Sequence, residues 1–141
     1  MKTSARNVFS GTIVRIAIGA VNSEVVLAVE SGVEIVAIVT NESVRALDLK
    51  VGRRAYALVK ASWVIFGKDL DKAKLSTRNV LSGTVDSIHD GAVNAEVTLK
   101  LAGGVSLVGI LTRESLSALE FKPGEPASAA FKASNVILAV D

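Results

Sequence analysis

The sequence predicts a mostly β protein built from two copies of one small unit, each with a single short helix. The segment KTSARNVFSGT at residues 2–12 returns as KLSTRNVLSGT at residues 74–84, so that Ser4 and Ser76 lie 72 positions apart. Between these clusters, segments dense in Val, Ile and Thr are broken by Gly, Asn and Ser, as is typical of strands and turns. A repeat at a fixed offset indicates one structural unit used twice.

The strands and the helix are predicted in the same order in both copies. In copy one the strand-like segments NVFSGTIVRIAIG, SEVVLAVE and VEIVAIVT come first, and NESVRALDL follows with helical spacing. Thr40 and its counterpart Thr112 precede these helices, and we expect them to act as N-caps. KVGRRAYALVK predicts a turn followed by a strand, and SWVIF closes the copy. This is the order of an OB-like five-stranded Greek-key barrel, so the predicted fold is all-β, with tandem barrels and one short helix per repeat.

The predicted domains are residues 1–67 and 75–141, joined by a linker at 68–74. The linker is charged and has no apolar pattern. Half of all residues are hydrophobic but only 4% are aromatic, so Val, Ile, Leu and Ala supply the core. Because β domains of about 70 residues are marginal alone, we expect the two halves to pack closely together and against further copies of the chain.

Charge and composition exclude several classes of function. The net charge of +2, from 16 basic and 14 acidic side chains, is too small to indicate a nucleic-acid partner. The absence of cysteine excludes disulfides and thiolate metal sites. The N-terminal segment lacks the apolar core of a signal peptide, and no apolar run approaches the roughly 20 residues that span a bilayer. We therefore expect a cytoplasmic protein without a membrane partner.

The polar residues that return in both copies are mainly hydrogen-bond donors. They lie in three segments, SARN, GAVN and KAS in copy one, and STRN, GAVN and KAS in copy two. Serine hydroxyls, asparagine amides, backbone N–H groups and one or two cations are what a tetrahedral oxyanion requires. Acceptor groups for a bare metal cation are sparse in these segments, so no such site is predicted.

Simpler interpretations of the same segments remain open. GAVN is most simply a turn between two strands. Ser4 and Asn7 can cap or turn the start of the first strand, and Lys60 can be a solvated lysine. Glu24 and Glu96, which also return at the offset of 72, can pair with an arginine or hold a backbone amide.

Catalytic machinery is not visible in the sequence. His89 is the only histidine, copy one has Ala17 in its place, and a lone loop histidine is most simply a surface residue. No Ser-His-acid set can repeat, and no phosphate-binding glycine loop is present. LAGGVSLVG has glycines, but comparison with AVESGVEIVA in copy one predicts a hairpin turn. Trp63 corresponds to Asn135 in the other copy, so the tryptophan is not shared by the two copies, and this favours a packing or interface role for Trp63.

The segments SARN…SGTI, GAVNSEV, TNESVRALDL and VKASWV resemble the Mop domain of the molbindins, and the resemblance covers nearly the whole chain twice. It implies an OB-like fold, assemblies of six modules and therefore a homotrimer of this chain. It also implies reversible binding of molybdate or tungstate between modules for intracellular molybdenum storage and homeostasis. No enzyme activity and no catalytic cofactor are implied.

The resemblance also implies a set of oxyanion-binding residues, with the KAS segments supplied by a neighbouring module. In copy one they are Ser4, Ala5, Arg6, Asn7, Gly19, Ala20, Val21, Asn22, Lys60, Ala61 and Ser62. In copy two they are Ser76, Thr77, Arg78, Asn79, Gly91, Ala92, Val93, Asn94, Lys132, Ala133 and Ser134. Ala5 against Thr77 is a difference between the copies, so the two sites need not bind equally.

Two other functions are alternatives to molybdate storage. A nucleic-acid-binding OB module stacks bases on aromatic side chains, and no aromatic residue pairs with another across these two copies. A regulatory interaction module with molybdate as effector is the other alternative.

Overall fold

The computed structural model describes residues 1–29 and 32–141, and strands account for most of its regular structure. Copy one contains β1 Asn7–Ile18, β2 Asn22–Ala28, β3 Glu34–Thr40, α1 Asn41–Ala46, β4 Arg54–Val59 and β5 Ile65–Gly67. Copy two contains β6 Asn79–Asp90, β7 Asn94–Lys100, β8 Ser106–Thr112, α2 Arg113–Leu119, β9 Pro126–Phe131 and β10 Ile137–Ala139. Short 3₁₀ helices lie at Ala61–Trp63, Leu70–Lys72, Ala102–Gly104 and Ala133–Asn135.

The predicted fold class is confirmed, because each copy has three strands, one short helix and then two strands. Thr40 and Thr112 are the predicted N-caps, and the hydroxyl oxygen of each accepts a 3.1 Å bond from the backbone N–H three residues later. Neither helix has a buried residue. The helices therefore follow the third strands at the surface, and only partly buried side chains, Val44 in α1 and Leu116 and Leu119 in α2, pack against the core.

The predicted hairpin turns also form. The GAVN segments connect the first two strands of each copy, and the Gly19 N–H donates to the Asn22 carbonyl at 2.9 Å. A Cβ at position 19 would lie 2.6 Å from that oxygen, so the turn requires glycine. The turn predicted in LAGGVSLVG is the 3₁₀ helix Ala102–Gly104 between β7 and β8. Its counterpart in copy one includes Glu30 and Ser31, which lie outside the described residues.

Each sheet takes one strand from the other copy. The first sheet has the order β10-β4-β1-β2-β3, and the second sheet has the order β5-β9-β6-β7-β8. Leu138 of β10 faces Ala57 of β4, and Phe66 of β5 faces Ala129 of β9. The expectation that SWVIF closes its own copy is therefore wrong. The residues after β4 form a 3₁₀ helix instead of a hairpin, and the chain continues to the other sheet.

The exchanged strands join the two sheets through one hydrophobic core. Phe66 and Leu138 are both more than nine-tenths buried, although each lies in the sheet of the other copy. Phe66 packs edge-to-face on Phe121 with ring centroids 6.2 Å apart. The expected close packing of the two halves is thus confirmed, since removing either half would expose the core of the other.

Two buried asparagines pair the outer edge of each sheet with the opposite sheet. Asn79 begins β6, and its side chain accepts from the Val36 N–H at 2.8 Å and donates to the Val36 carbonyl at 2.7 Å. Asn7 begins β1 and forms the same two bonds with Val108, at 2.7 and 2.8 Å. Val36 lies in β3 and Val108 in β8, which are edge strands. Edge N–H and C=O groups that would otherwise be unpaired inside the molecule are therefore satisfied.

We expect Asn79→Ala to lower the free energy of unfolding by roughly 2–4 kcal/mol, because it leaves two buried backbone groups of Val36 without partners. Urea denaturation followed by circular dichroism measures this change. Asn22→Ala is the matched control: Asn22 is exposed, and its loss should change stability by less than about 0.5 kcal/mol. Equal losses for both variants would contradict the structural part assigned to Asn79.

Candidate functional site

Six of the predicted oxyanion-binding residues line one cavity between the sheets. The cavity has a volume of about 150 Å³. We name it the Arg78 cavity. Copy two and copy one both contribute to its walls: Ser76, Thr77, Arg78, Lys132, Ala133 and Ser134 come from copy two, and Glu24, Val36 and Ile38 come from copy one. A water molecule occupies about 30 Å³ in the liquid, so the space accommodates an anion of five heavy atoms.

Local structure explains how two distant segments reach this cavity. Ser76–Arg78 ends directly at Asn79, whose side chain is fixed to Val36 of β3. Lys132–Ser134 follows β9 and begins the turn that leads to β10 in the first sheet. The 3₁₀ helix Ala133–Asn135 in this turn packs against β3. Strand exchange therefore brings the KAS segment to the interface.

The two polar segments that line the Arg78 cavity come from one copy, and the supply of a KAS segment by a neighbouring module stays a prediction. In the Arg78 cavity Ser76–Arg78 and Lys132–Ser134 belong to the same copy, and the other copy supplies β2 and β3. Thr77 holds the two segments together, since its hydroxyl donates to the Phe131 carbonyl at 2.7 Å. The cavity still lies between the copies.

The matching segments of copy one meet on the second sheet. The 3₁₀ helix Ala61–Trp63 packs against β8, and Asn7 is bonded to Val108 of the same strand. We name Ser4–Arg6, Lys60–Ser62 and the facing Glu96 the Arg6 site. The two sites are thus related by an approximate twofold rotation that exchanges the copies.

Each predicted arginine is paired with the glutamate of the other copy. Arg6 donates two bonds to Glu96, at 2.6 and 2.9 Å, and Arg78 donates one bond to Glu24, at 2.6 Å. The interpretation of Glu24 and Glu96 as ion-pair partners of arginine is therefore confirmed. Arg15 also bonds Glu24, at 3.0 Å. These guanidinium groups are about half exposed, so they can leave the carboxylates and reach a ligand.

The Arg6 pair changes the ionisation of Glu96. The hydrogen bond from Arg6 and the charge of Arg6 lower the pKa of Glu96, while partial burial opposes this effect. The charge of His89, which faces Glu96 in the ladder, lowers the pKa of Glu96 further. His89 is exposed as expected, but it lies in strand β6 and not in a loop.

The remaining predicted residues lie outside the Arg78 cavity. Asn7 and Asn79 are buried, and their amides are already bonded to the opposite edge strand. Gly19, Ala20 and Val21 form an exposed hairpin end, as do Gly91, Ala92 and Val93, and Asn94 begins β7. Asn22 lines an adjoining cavity of about 370 Å³ that shares Ile38 and Ser134 with the Arg78 cavity. A part in oxyanion binding stays a prediction for all of these residues.

A larger cavity of about 550 Å³ lies beside the linker and contains none of the predicted residues. Its charged lining comprises Lys68 and Lys72 against Asp69, Asp71 and Glu125. Three carboxylates against two ammonium groups repel a dianion, so this cavity is the poorer candidate despite its size. Within residues 1–29 and 32–141, no group of His, Cys, Asp and Glu is arranged to hold a metal ion.

Comparison with known proteins identifies the family of the chain. The model of the TOBE domain matches residues 3–66 and again residues 75–138. The chain belongs to the TOBE-domain family. The resemblance to Mop modules is confirmed as well, because relatives carry the Mop name and the solved structure of a molybdate-binding protein matches the full chain.

Individual relatives cover both TOBE domains. The chain is 44% identical over 140 residues to the molybdenum transport protein ModE of Azotobacter vinelandii and 41% identical over 140 residues to the molybdenum-pterin-binding protein MopA of Rhodobacter capsulatus. These alignments include 99% of this chain but 52% and 53% of the relatives, so the chain spans about half their length. A structure of the cytoplasmic molybdate-binding protein ModG with molybdate bound is 50% identical, covers 100% of both chains and has a TM-score of 0.96.

Sequence reasoning missed three residues that complete the Arg78 cavity of the TOBE pair. Val36 and Ile38 lie on β3 and carry no chemical signal, so only the three-dimensional structure reveals them. Glu24 returned at the offset of 72, which was a usable signal, but its partner lies in the other copy.

No helix in the described part of the chain has the length and apolar character needed to cross a bilayer.

We expect Arg6→Ala to raise the pKa of Glu96 towards the usual value for glutamate, since the main cause of its lowering is removed. An NMR titration of the Glu96 carboxyl carbon measures the pKa. A lowered pKa means that this pair stabilises the fold at pH values above the usual glutamate range and loses that contribution as the pH falls through the lowered pKa.

Arg15→Ala is the control for this titration, because Arg15 bonds Glu24 and not Glu96. It should leave the pKa of Glu96 unchanged. A pKa of Glu96 that is the same with and without Arg6 would show that this ion pair does not form in solution.

Proposed function

We propose that this chain binds molybdate reversibly in the Arg78 cavity and the Arg6 site, between its two TOBE domains. The observation that carries the proposal is the convergence of Arg78, Lys132, Ser76 and Ser134 on one small cavity. The match to molybdate-bound ModG along the whole chain supports the choice of ligand.

The proposed mechanism is an exchange of partners by the arginines. The dianion enters beside Lys132, and Arg78 turns from Glu24 to the oxyanion. The hydroxyls of Ser76 and Ser134 and backbone N–H groups donate to the remaining oxygens, which is the donor-rich environment that tetrahedral oxyanions need. Buried Val36 and partly exposed Ile38 form an apolar wall that reduces contact with water on one side and strengthens these bonds. No covalent step is involved.

Selectivity follows from size because charge does not discriminate. Molybdate and tungstate have the same charge and nearly the same dimensions, so we propose that both bind. Sulfate has the same charge but is smaller, and it leaves some donors beyond hydrogen-bond distance, which is costly in a partly desolvated site.

We also propose a cytoplasmic homotrimer that stores molybdate for molybdenum homeostasis and has no enzyme activity. The match to the cytoplasmic protein ModG supports the location. Apolar side chains are exposed at equivalent positions of the two copies, which supports further self-association. These pairs are Val21 and Val93, Ile38 and Ile110, and Ile65 and Ile137.

A regulatory module that responds to molybdate is the second candidate. It is favoured by the two-domain match to ModE, because this chain corresponds to about half of that relative. This alternative uses the same two sites, so it differs in the downstream partner and not in the binding chemistry. No observation favours a nucleic-acid partner.

We expect the double variant Arg6→Ala/Arg78→Ala to bind molybdate at least about tenfold more weakly than the unsubstituted protein, since it loses charge-assisted hydrogen bonds at both sites. Isothermal titration calorimetry measures the affinity. Arg54→Ala serves as control, because Arg54 bonds Ser10 on the exposed side of the first sheet. Unchanged affinity in the double variant would reject the arginines as ligands.

A further inference from the structure

The two sites differ in the partners that hold their cations. We propose that the Arg78 cavity binds a tetrahedral dianion more tightly than the Arg6 site and fills first, and that Arg15 sets this order. The inference rests on the proposed function, and it adds Arg15, a residue outside the cavity wall.

Arg15 gives Glu24 a second cationic partner. Arg15 and Arg78 both bond the same oxygen, Oε1 of Glu24, at 3.0 and 2.6 Å. When Arg78 turns to an oxyanion, Glu24 keeps its bond to Arg15. The release of Arg78 therefore does not leave an unpaired carboxylate beside the bound dianion.

Glu96 has no second guanidinium in the described part of the chain. Position 87, which corresponds to Arg15, is Ser87, and Arg6 supplies both bonds to Glu96. Release of Arg6 breaks two bonds and leaves Glu96 with the imidazole of His89 as its ladder partner and without a bonded guanidinium. An imidazole carries less positive charge at neutral pH than a guanidinium, so it compensates poorly.

The contacts of Lys60 and Lys132 also favour tighter binding in the Arg78 cavity. The Lys60 ammonium lies 5.6 Å from the centre of the Trp63 ring, an attractive cation–π contact that a ligand must weaken. Asn135 replaces the tryptophan in copy two, so Lys132 has no such contact. In addition, Thr77 ties the Ser76–Arg78 segment to β9, whereas Ala5 has no hydroxyl to do this. The Arg78 cavity is thus the more preorganised of the two.

The charge of the surroundings favours the same site. Arg15, Arg78 and Lys132 against Glu24 give the Arg78 cavity a net charge of +2, which matches a dianion. Arg6 and Lys60 against Glu96 give the Arg6 site a net charge of +1, without counting the imidazole of His89. Because these guanidinium groups are about half exposed, salt screens part of the Coulomb attraction, and the extra charge strengthens binding in the Arg78 cavity most at low ionic strength.

Variants that lack one of the two arginines allow the affinity of each site to be measured separately. Arg6→Ala leaves the Arg78 cavity intact, and Arg78→Ala leaves the Arg6 site intact. Calorimetric titration with sodium molybdate at pH 8 and low ionic strength should give tighter binding to the Arg6→Ala protein, by roughly 5- to 30-fold if the ion-pair and cation–π differences combine.

Exchange of the residues at positions 15 and 87 tests the part of Arg15. Arg15→Ser in the Arg6→Ala protein should weaken binding by about two- to fivefold. Ser87→Arg in the Arg78→Ala protein should strengthen it by a similar factor, because both positions directly follow a bulge in equivalent ladders. Arg54→Ser removes an exposed arginine elsewhere on the first sheet and should change neither affinity.

The outcomes distinguish this inference from the proposed function. Tighter binding by the Arg78→Ala protein, equal affinities, or no effect of Arg15→Ser beyond that of Arg54→Ser would overturn the inference alone. If Ser87→Arg fails to fold, the Arg15→Ser result still decides. Absence of any molybdate binding by the unsubstituted protein would overturn the proposed function and the inference with it.

Discussion

The pairing of an edge strand with a buried asparagine is the interaction on which the rest of this structure depends. β3 and β8 each present backbone groups on their outer side, and inside a protein such groups must find partners. Asn79 and Asn7 supply both partners to Val36 and Val108 with one side chain each. Because each asparagine is the first residue of a strand, the residues just before it are held beside the opposite sheet.

This constraint explains why serine, arginine and asparagine occur together twice. The asparagine fixes the segment to the other sheet, and the arginine directly before it in the sequence then faces a glutamate of that sheet. Strand exchange adds the KAS segment, since the chain must cross from β9 to β10 over the edge of β3. A donor-rich cavity between the domains is therefore a consequence of how the sheets are joined.

Local sequence signals predicted the local structure well. The β-branched segments, the caps at Thr40 and Thr112 and the turns at GAVN depend on neighbouring residues, and all were recognisable in the chain. Within SWVIF the structure divides the residues between the end of a 3₁₀ helix at Trp63 and the short strand β5 from Ile65. Strand exchange was not predictable, since SWVIF and SNVIL have nearly the same pattern and either copy could accept either strand.

The candidate site could be predicted only in part for the same physical reason. Repetition at an offset of 72 identified Arg78, Lys132 and Glu24 as residues of interest, but their mutual distances depend on which copies face each other. The apolar wall formed by Val36 and Ile38 has the pattern of any core strand. The asparagines were assigned to the ligand because an amide is a good donor, whereas in the structure the amides bond backbone groups at the sheet edge.

Diffraction from crystals grown with molybdate, measured at the molybdenum absorption edge, tests the central claim most directly. The account predicts an anomalous difference peak between the sheets, within hydrogen-bond distance of Arg78, Lys132 and Ser134, with Asn79 still bonded to Val36. A molybdenum peak confined to other surfaces of the molecule, with this cavity holding only water, would contradict it.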